Sequence, residues 1–392
     1  MRVANTTSRR SGPRSEPIRA LICLSHLRWG FVFQRPQHLM IRFARIMPVL
    51  FVEEPVFDDT APARLELHPI TSNLTVGVPH LPRGVDTGAA AILQRALLNE
   101  VCARYDISNP YLWFYTPMAI TFAGEIPASA IVYDCMDELS AFKDAPAELP
   151  ELEGLLLNRA DLVFTGGLSL YEAKRARHPH VYAFPSAVDV GHFGTARGRL
   201  AEPADQAAIP RPRLGFFGVI DERMDTALLA ALAGRRPDWR FVMIGPVVKI
   251  DPANLPKADN IHYLGIKNYQ ELPAYAAHWE VALMPFALND ATRFISPTKM
   301  PEYLAAGKPV VSTPVADVAR LWGHLAATFI ADGPDEFASK IDAALALAAR
   351  PGDWLDQIDR EIAGLSWDRT WERMRRLMID LPPRQPRPAA RA

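Results

Sequence analysis

The sequence has 392 residues, of which 49% are hydrophobic, and its formal net charge is −1. This length allows two domains of ordinary size, each with a buried core. The near-neutral charge argues against a protein whose main task is to bind nucleic acid. Cys23, Cys102 and Cys135 lie far apart in apolar surroundings, which indicates buried, reduced thiols and excludes a disulfide framework or a zinc site of the usual Cys/His spacing.

The first half of the chain alternates short apolar runs with stretches of helical spacing. Residues 1–17 are polar and lack the apolar stretch of a secretory signal, so we predict a disordered leader there. Continuous apolar runs are typical of strands buried on both faces, and strand–helix repetition predicts a parallel, doubly wound sheet for residues 18–195. The predicted strands are 20–25, 49–52, 74–78, 111–115, 131–133, 162–165 and 181–184.

A second series of the same kind predicts a second Rossmann-like domain, residues 213–366, with strands at 214–217, 241–244, 261–264, 281–284, 309–312 and 328–330. Residues 196–212 are polar and contain prolines, which indicates a linker. Residues 367–381 have apolar side chains at helical spacing and are predicted to form a helix that crosses back to the first domain. Residues 382–392 are predicted to be a disordered tail. Two such α/β domains would face each other across a central cleft.

The most informative segment is SPTKMPEYLAAGKPVVST, residues 296–313. Ser296 is predicted to cap a helix whose first amides, at Thr298, Lys299 and Met300, remain free to bind a phosphate. Lys299 adds a full charge there. Glu302, one turn later, has the acceptor oxygens that two ribose hydroxyls would need. Taken alone, a Ser-Pro helix start is usually only structural, but the glycine and the buried strand that follow favour a ligand site.

This segment resembles the donor-site signature of glycosyltransferase family 4 and its relatives, which are retaining enzymes of the GT-B fold. Glu302 matches the second acidic residue of the family's paired-glutamate motif, whereas Phe294 replaces the first. In the loop at 214–225, Val219 replaces the family's usual arginine, and Arg223 lies near its lysine position. The resemblance implies a donor site formed by Gly218, Arg223, Ser296, Thr298, Lys299 and Glu302.

The first domain is expected to bind the acceptor. The stretch SHLRWGFVFQRPQHL, residues 25–39, resembles a bacterial subgroup of polysaccharide glycosyltransferases that includes the teichuronic-acid type. The acceptor-side candidates are Trp29, Gly30, Arg35, His38 and Asp134. Asp137 is the better match to the family's acidic loop residue, and a structural role is the open alternative for Asp134. The resemblance therefore implies Asp137, Arg223 and Lys299 as the catalytic set, although each of these residues also has an ordinary structural explanation.

No Asp-x-Asp motif occurs in the sequence, and enzymes that bind the diphosphate through a divalent metal usually have one. We therefore expect metal-independent catalysis without a cofactor, in which amides and basic side chains stabilise the leaving group of a UDP- or GDP-sugar co-substrate. Retention in the family is described as front-face attack, in which the leaving phosphate takes the acceptor proton. This mechanism requires no Ser/His/Asp or paired-carboxylate set.

The function implied is hexosyl transfer to a glycan or lipid-linked glycan acceptor in cell-envelope or exopolysaccharide biosynthesis. Two alternatives remain open: a catalytically degenerate nucleotide-sugar-binding protein of the same fold, which the Phe294 and Val219 departures favour, and a GT-B-type nucleotide-sugar epimerase, which would need acid/base groups in the cleft. A nicotinamide-dependent oxidoreductase is disfavoured, because no Gly-x-Gly-x-x-Gly follows the first predicted strand.

The sequence also predicts where the protein works. No segment approaches the roughly 20 apolar residues of a membrane span, and the predicted reduced thiols are typical of the cytosol, so we expect a cytoplasmic protein. Nucleic acid is not expected as a partner. A weak peripheral contact with the inner membrane is a further hypothesis, since basic clusters attract anionic headgroups. The candidate clusters are Arg35, His38, Arg42 and Arg45, and Lys174, Arg175, Arg177 and His178.

Overall fold

The computed structural model describes residues 20–59, 62–350, 352–382 and 384. The predicted leader and most of the predicted tail lie outside these residues. The strands in chain order are β1 (Leu21–Leu24), β2 (Val49–Val52), β3 (Val56–Asp58), β4 (Arg64–Thr71), β5 (Leu74–Pro82), β6 (Tyr111–Phe114), β7 (Ala130–Cys135), β8 (Leu162–Thr165), β9 (Val181–Ala183), β10 (Arg213–Phe217), β11 (Arg240–Ile244), β12 (Ile261–Gly265), β13 (Val281–Met284), β14 (Val310–Ser312) and β15 (Thr328–Ile330).

Helices follow most of these strands, as expected for a doubly wound architecture. They are α1 (Arg35–Phe43), α2 (Thr87–Arg104), α3 (Ile120–Ala123), α4 (Leu149–Arg159), α5 (Leu168–Lys174), α6 (Val190–Gly194), α7 (Ala204–Ala207), α8 (Thr226–Arg235), α9 (Leu272–Ala277), α10 (Lys299–Ala305), α11 (Ala316–Trp322), α12 (Gly333–Ala348), α13 (Trp354–Ile362) and α14 (Trp367–Ile379).

In the described part of the chain, the first sheet contains nine strands in the order β3-β5-β2-β1-β6-β7-β8-β9, with β4 antiparallel to β5. Its central strands are parallel, and β1 pairs with both β2 and β6. Successive side chains of β1 enter different cores: Ile22 and Leu24 pack on one face, and Leu21 and Cys23 on the other. Burial on both faces explains why this strand has no polar position.

The second sheet contains six described strands, all parallel, in the order β12-β11-β10-β13-β14-β15. Its central strand β10 carries Gly215, where an added Cβ would lie 1.9 Å from the Trp279 ring. Trp279 is 2% exposed and packs directly on the strand. The tryptophan therefore occupies the space that any other side chain at position 215 would need.

Every predicted apolar run overlaps a strand of the structure, and the predicted α/β class with two facing Rossmann-like domains is confirmed. The sequence prediction missed β3 and β4. In β4, Leu65 and Leu67 alternate with the charged or polar residues Arg64, Glu66 and His68, and such alternation is the usual signal of a half-exposed strand. The strand predictions rested on continuous apolar runs, which are typical of the parallel strands, and β4 has no such run.

The segment 196–212 is not the irregular linker that its polarity predicted. It contains α7, and the Gln206 side chain is buried against the second domain. Trp279 Nε1 donates to Gln206 Oε1 at 2.8 Å, and the Tyr275 hydroxyl donates to Asp205 Oδ1 at 2.8 Å. The polar residues of this segment thus satisfy buried donors of the second domain, which is a role that composition cannot distinguish from solvent exposure.

The last helix returns to the first domain, as predicted. Trp367, Met374 and Met378 of α14 are buried in the first domain's core together with Phe43 of α1. Asp368 accepts hydrogen bonds from Arg42 at 3.0 and 2.9 Å. This contact joins the two ends of the described chain. No helix within the described ranges is long and apolar enough to cross a membrane.

The structure does not support the two basic clusters as membrane surfaces, because most of their charged side chains already have carboxylate partners. Leu39 and Phe43 of the first cluster face the core. Five of the eight side chains pair with carboxylates: Arg35 with Asp134, Arg42 and Arg45 with Asp368, Lys174 with Glu138 and Glu153, and Arg177 with Glu153. Paired cations of this kind offer little net attraction for anionic headgroups.

Candidate active site

A cavity of about 740 Å³ lies between the carboxyl ends of the two sheets. One wall comes from first-domain segments that follow β1, β7 and β8. The opposite wall comes from segments that follow β10, β11, β12 and β13. This is the position where open α/β sheets bind ligands, and it is shared by both domains.

At two glycines that line the cavity, the backbone itself forms the surface that a ligand would meet. Gly218 has a φ of +136°, and Gly245 has a φ of +142°. An added Cβ at Gly245 would lie 1.9 Å from the Gly218 carbonyl oxygen, and one at Gly218 would lie 2.0 Å from Lys299 Cε. Only glycine fits both the conformation and the space. Gly218 was predicted as a donor-site residue, whereas Gly245 was missed, although it directly follows a predicted strand.

Lys299 lies in the cavity wall without a carboxylate partner among the described residues. Its Nζ is 5.4 Å from the centre of the Phe216 ring and 5.7 Å from that of Phe286. Burial and the charge of Arg223 lower the pKa of Lys299 from 10.5 to about 8. A cation held in this way gains strongly from an anionic ligand, because a ligand charge would replace the missing solvation.

The predicted start of the following helix is wrong by two residues. Helix α10 begins at Lys299, its N-cap position is Thr298, and the Ser296 side chain makes no capping hydrogen bond. The Met300 amide donates to the Pro297 carbonyl oxygen at 3.3 Å, so it is not free as predicted. Within the described residues, the amides of Thr298 and Lys299 have no hydrogen-bond partner. The proline thus produces a tight turn before the helix, and two amides remain for an anion.

Glu302, in the first turn of α10, also lines the cavity and is only 7% exposed. No described residue donates a hydrogen bond to its carboxylate. Burial raises the pKa of Glu302 from 4.5 to about 8, and the nearby Lys299 opposes this shift. A buried carboxyl group without a partner is costly unless a ligand hydrogen-bonds to it. The geometry is thus consistent with the predicted contact to ligand hydroxyls.

Arg223 faces the same cavity, as predicted, but its guanidinium also pairs with the carboxylate of Asp221. Its Nε and Nη2 donate to both carboxylate oxygens of Asp221, the shortest contact being 2.6 Å. Its guanidinium lies 5.3 Å from the centre of the Phe142 ring of the first domain. The Asp221 pair fixes the direction of the guanidinium and leaves its remaining N–H groups for a ligand. Asp221 was not identified from the sequence.

Asp137 lies on the opposite wall, immediately after β7. Burial raises the pKa of its carboxyl group, while the charges of Arg223 and Lys299 oppose the shift. The three residues predicted as the catalytic set are therefore brought together, with the carboxylate contributed by the first domain and both cations by the second. No His, Cys, Asp and Glu cluster of the described residues is arranged to hold a metal ion.

The acceptor-side candidates divide into two groups. Trp29, Gly30 and Arg35 line the cavity. Asp134 is fully buried and bonds Arg35 in a bidentate pair at 2.7 to 3.1 Å, and Arg35 also donates to the Phe184 carbonyl oxygen at 2.7 Å. This pair fixes α1 to the sheet. The prediction that Asp134 faces the acceptor is therefore wrong, because its oxygens are already satisfied inside the domain.

His38 does not reach the cavity either. Its ring stacks on Trp367 at 4.5 Å and meets the edges of Phe33 and Tyr269. Burial lowers the pKa of His38 to about 3, so the ring is neutral at physiological pH. It belongs to an aromatic contact between the first domain, α14 and the loop before α9. Tyr269 and Phe33, which do line the cavity, were not identified from the sequence.

Comparisons with known proteins agree with this geometry. Residues 211–346 match the family model described as glycosyl transferases group 1. TuaH of Bacillus subtilis (strain 168), whose name provisionally assigns it to teichuronic acid biosynthesis as a glycosyltransferase, is 24% identical over 232 residues. The alignment covers 54% of this chain and 57% of TuaH, so the chain matches only about half the length of this relative.

Solved structures share the architecture over nearly the whole chain. Sucrose-phosphate synthase from Thermosynechococcus elongatus superposes with a TM-score of 0.68 at 14% identity, covering 92% of this chain and 98% of that one. A UDP-forming α,α-trehalose-phosphate synthase from Burkholderia vietnamiensis gives 0.64 at 15% identity, covering 94% and 100%. A trehalose-6-phosphate structure from E. coli, bound with UDP-2-fluoro glucose, gives 0.62 at 14% identity, covering 93% and 100%. The chain thus has the GT-B fold of these structures, and its second domain is similar to the glycosyl transferases group 1 family.

Proposed function

We propose that the chain is a glycosyltransferase that moves a sugar from a nucleotide diphosphate to a glycan or lipid-linked glycan acceptor in envelope or exopolysaccharide biosynthesis. The observation that carries this proposal is the convergence of Lys299, Arg223 and the free amides of Thr298 and Lys299 on one interdomain cavity. Two cations and open backbone donors suit a diphosphate leaving group. The names of TuaH and of the UDP-2-fluoro glucose complex support the same substrate class.

In the proposed reaction, the bond between the anomeric carbon and the phosphate oxygen breaks, and the acceptor oxygen forms the new bond. The acceptor proton passes to the leaving phosphate oxygen, so retention needs no separate base. Lys299 and Arg223 stabilise the charge that develops on the diphosphate. Glu302 accepts hydrogen bonds from the ribose, and Asp137, on the opposite wall, binds the transferred sugar or the acceptor.

The decisive experiment screens the purified protein against UDP-, GDP- and ADP-sugars by thermal shift and then measures release of the nucleoside diphosphate with candidate acceptors. Binding of one class with acceptor-dependent turnover supports the proposal. Absence of binding to every nucleotide sugar, in a protein that remains folded, contradicts it.

A nucleotide-sugar-binding protein without turnover is the second candidate. It is favoured by Phe294, which stands where the family's first glutamate is expected but packs against the first domain's core instead of lining the cavity. Binding without turnover in the same assay identifies this function. The epimerase alternative loses support, because no histidine of the described residues lines the cavity.

Replacing Glu302 with glutamine is expected to weaken binding of the nucleotide at least tenfold. A hydrogen bond to a charged group contributes about 1.5–3 kcal/mol, so affinities are compared above about pH 8, where the Glu302 carboxylate is formed. Glutamine keeps the size of the side chain. Calorimetry on Glu302→Gln checks this, with Glu100→Gln, an exposed residue of α2, as the matched control. Unchanged affinity in Glu302→Gln contradicts the assignment of this residue to the donor site.

Activity is expected to persist in excess EDTA. The physical reason is that Lys299 and Arg223 already provide positive charge at the site, and the sequence lacks an Asp-x-Asp motif. Turnover is measured with EDTA and then with added Mg²⁺ or Mn²⁺. Complete loss of activity in EDTA, restored by a divalent metal, shows that a metal binds the diphosphate.

The two titrating groups predict opposite pH dependences in two variants. Glu302→Gln removes the charge that raises the pKa of Lys299, so affinity for UDP is expected to fall as pH rises towards about 8, because the cation is lost. Lys299→Met removes the charge that lowers the pKa of Glu302, so affinity is expected to rise only as pH increases above about 8, where the carboxylate forms. Calorimetry between about pH 7 and pH 9 measures both slopes. Slopes of the same sign contradict the assigned roles.

A further inference from the structure

One buried carboxylate joins the two domains next to the cavity. Asp317, in α11 of the second domain, accepts hydrogen bonds from the amides of Leu168 and Ser169 at 2.8 and 3.0 Å. The Ser169 hydroxyl also donates to it. These donors lie at the start of α5 in the first domain, and Asp317 is only 1% exposed. A buried carboxylate with three donors in this arrangement strongly favours the contact over a separated state.

Two glycines lie between this contact and the walls of the cavity. An added Cβ at Gly167 would lie 2.2 Å from Asp317 Oδ2 and 2.8 Å from Ser296 Cβ, and one at Gly166 would lie 2.5 Å from the Met136 carbonyl oxygen. Because neither glycine has a side chain, the Gly166–Gly167 turn packs closely between the segment that contains Met136 and the segment that contains Ser296. One segment leads directly to Asp137, and the other leads to Lys299.

A second hydrogen bond lies beside this turn. The Ser186 hydroxyl of the first domain donates to the Ser296 carbonyl oxygen at 2.8 Å. Further out, Arg320 pairs with Glu172 between the same two helices, but both side chains are about half exposed. Exposed pairs contribute little to stability, so the buried Asp317 contact is the dominant polar link at this edge of the interface.

We infer that Asp317 is a positioning residue, which sets the closed arrangement in which Asp137 and Lys299 face one cavity. Its catalytic consequence rests on the proposed glycosyltransferase function, whereas its effect on domain closure does not. Lys299, Arg223 and Glu302 all belong to the second domain. Loss of the Asp317 contact should therefore leave nucleotide affinity nearly unchanged and reduce turnover, which also needs the first domain.

The test measures domain closure by energy transfer between two dyes, one on each domain. Dyes are attached at Glu100→Cys and Lys257→Cys, which are exposed positions on different domains, in a Cys102→Ser background that removes the half-buried thiol. Asp317→Ala and Ser169→Ala are each expected to shift the ratio of closed to open molecules about tenfold towards open, from the loss of hydrogen bonds to a charged group. Arg320→Ala, which removes the exposed pair, is the matched control and is expected to leave the ratio unchanged.

The same variants are assayed for UDP binding and turnover. The inference requires kcat to fall about tenfold in Asp317→Ala and Ser169→Ala while UDP affinity stays within about twofold, and Asp317→Glu or Asp317→Asn to recover part of the loss. If Asp317→Ala does not fold, Ser169→Ala tests the contact from the other domain. Unchanged energy transfer in Ser169→Ala, and in Asp317→Ala where that variant folds, overturns the inference. Unchanged kcat in variants that do open overturns it as well. If the wild-type protein shows no turnover but the variants still open, the result contradicts the proposed function and leaves the role of Asp317 in domain closure intact.

Discussion

Lys299→Met is expected to lower kcat/KM about 100-fold or more while leaving the fold intact. Methionine keeps the length of the side chain against Gly218 but removes a cation that lines the same cavity as the two free amides. Loss of one preorganised group that stabilises developing charge typically costs a factor of about 10² to 10³. Because the lysine is partly desolvated and has no carboxylate partner in the described structure, its removal should not destabilise the protein.

Steady-state kinetics on Lys299→Met are paired with Lys257→Met, an exposed lysine of the same domain, as the control. Lys299→Arg tests whether charge alone suffices, and partial activity is expected because arginine is bulkier where Gly218 leaves little space. Wild-type kcat/KM in Lys299→Met would show that the leaving group is stabilised elsewhere.

Asp134→Asn is expected to lower the free energy of unfolding by about 3–5 kcal/mol, because it leaves the buried Arg35 guanidinium without its counter-charge. Arg35 and Asp134 are 2% and 0% exposed, respectively, and they connect α1 to the end of β7. The measurement is urea denaturation. The double variant Arg35→Met/Asp134→Asn should recover much of the loss, since it removes the unpaired charge.

This prediction also separates the two roles considered for the pair. A structural pair loses stability, whereas an acceptor ligand would mainly raise KM for the acceptor. A change below about 1 kcal/mol in Asp134→Asn, together with a raised acceptor KM, would restore the acceptor assignment. Asp368→Asn, which removes an exposed partner of Arg42 and Arg45, is the matched control and should cost less.

Much of the fold was predictable because its information is local. A strand buried on both faces of a parallel sheet has to be apolar throughout, so runs such as 162–165 and 281–284 coincide with β8 and β13. The segment with Lys299 and Glu302 was also recognisable, since a turn, a short helix and a buried strand follow one another in the chain. The resemblance to known glycosyltransferases rested on such contiguous patterns.

Pairing across long sequence distances was decided only by the tertiary structure. The residues around Asp134 do not reveal that it bonds Arg35, 99 residues away, while Asp137, three residues later, faces the cavity. His38 and Asp317 likewise depend on partners in other elements: Trp367 for the first, Leu168 and Ser169 for the second. A polar residue is the same letter in the sequence whether other protein groups satisfy its hydrogen bonds or leave them free for a ligand. Only the folded arrangement determines which donors and acceptors are already used.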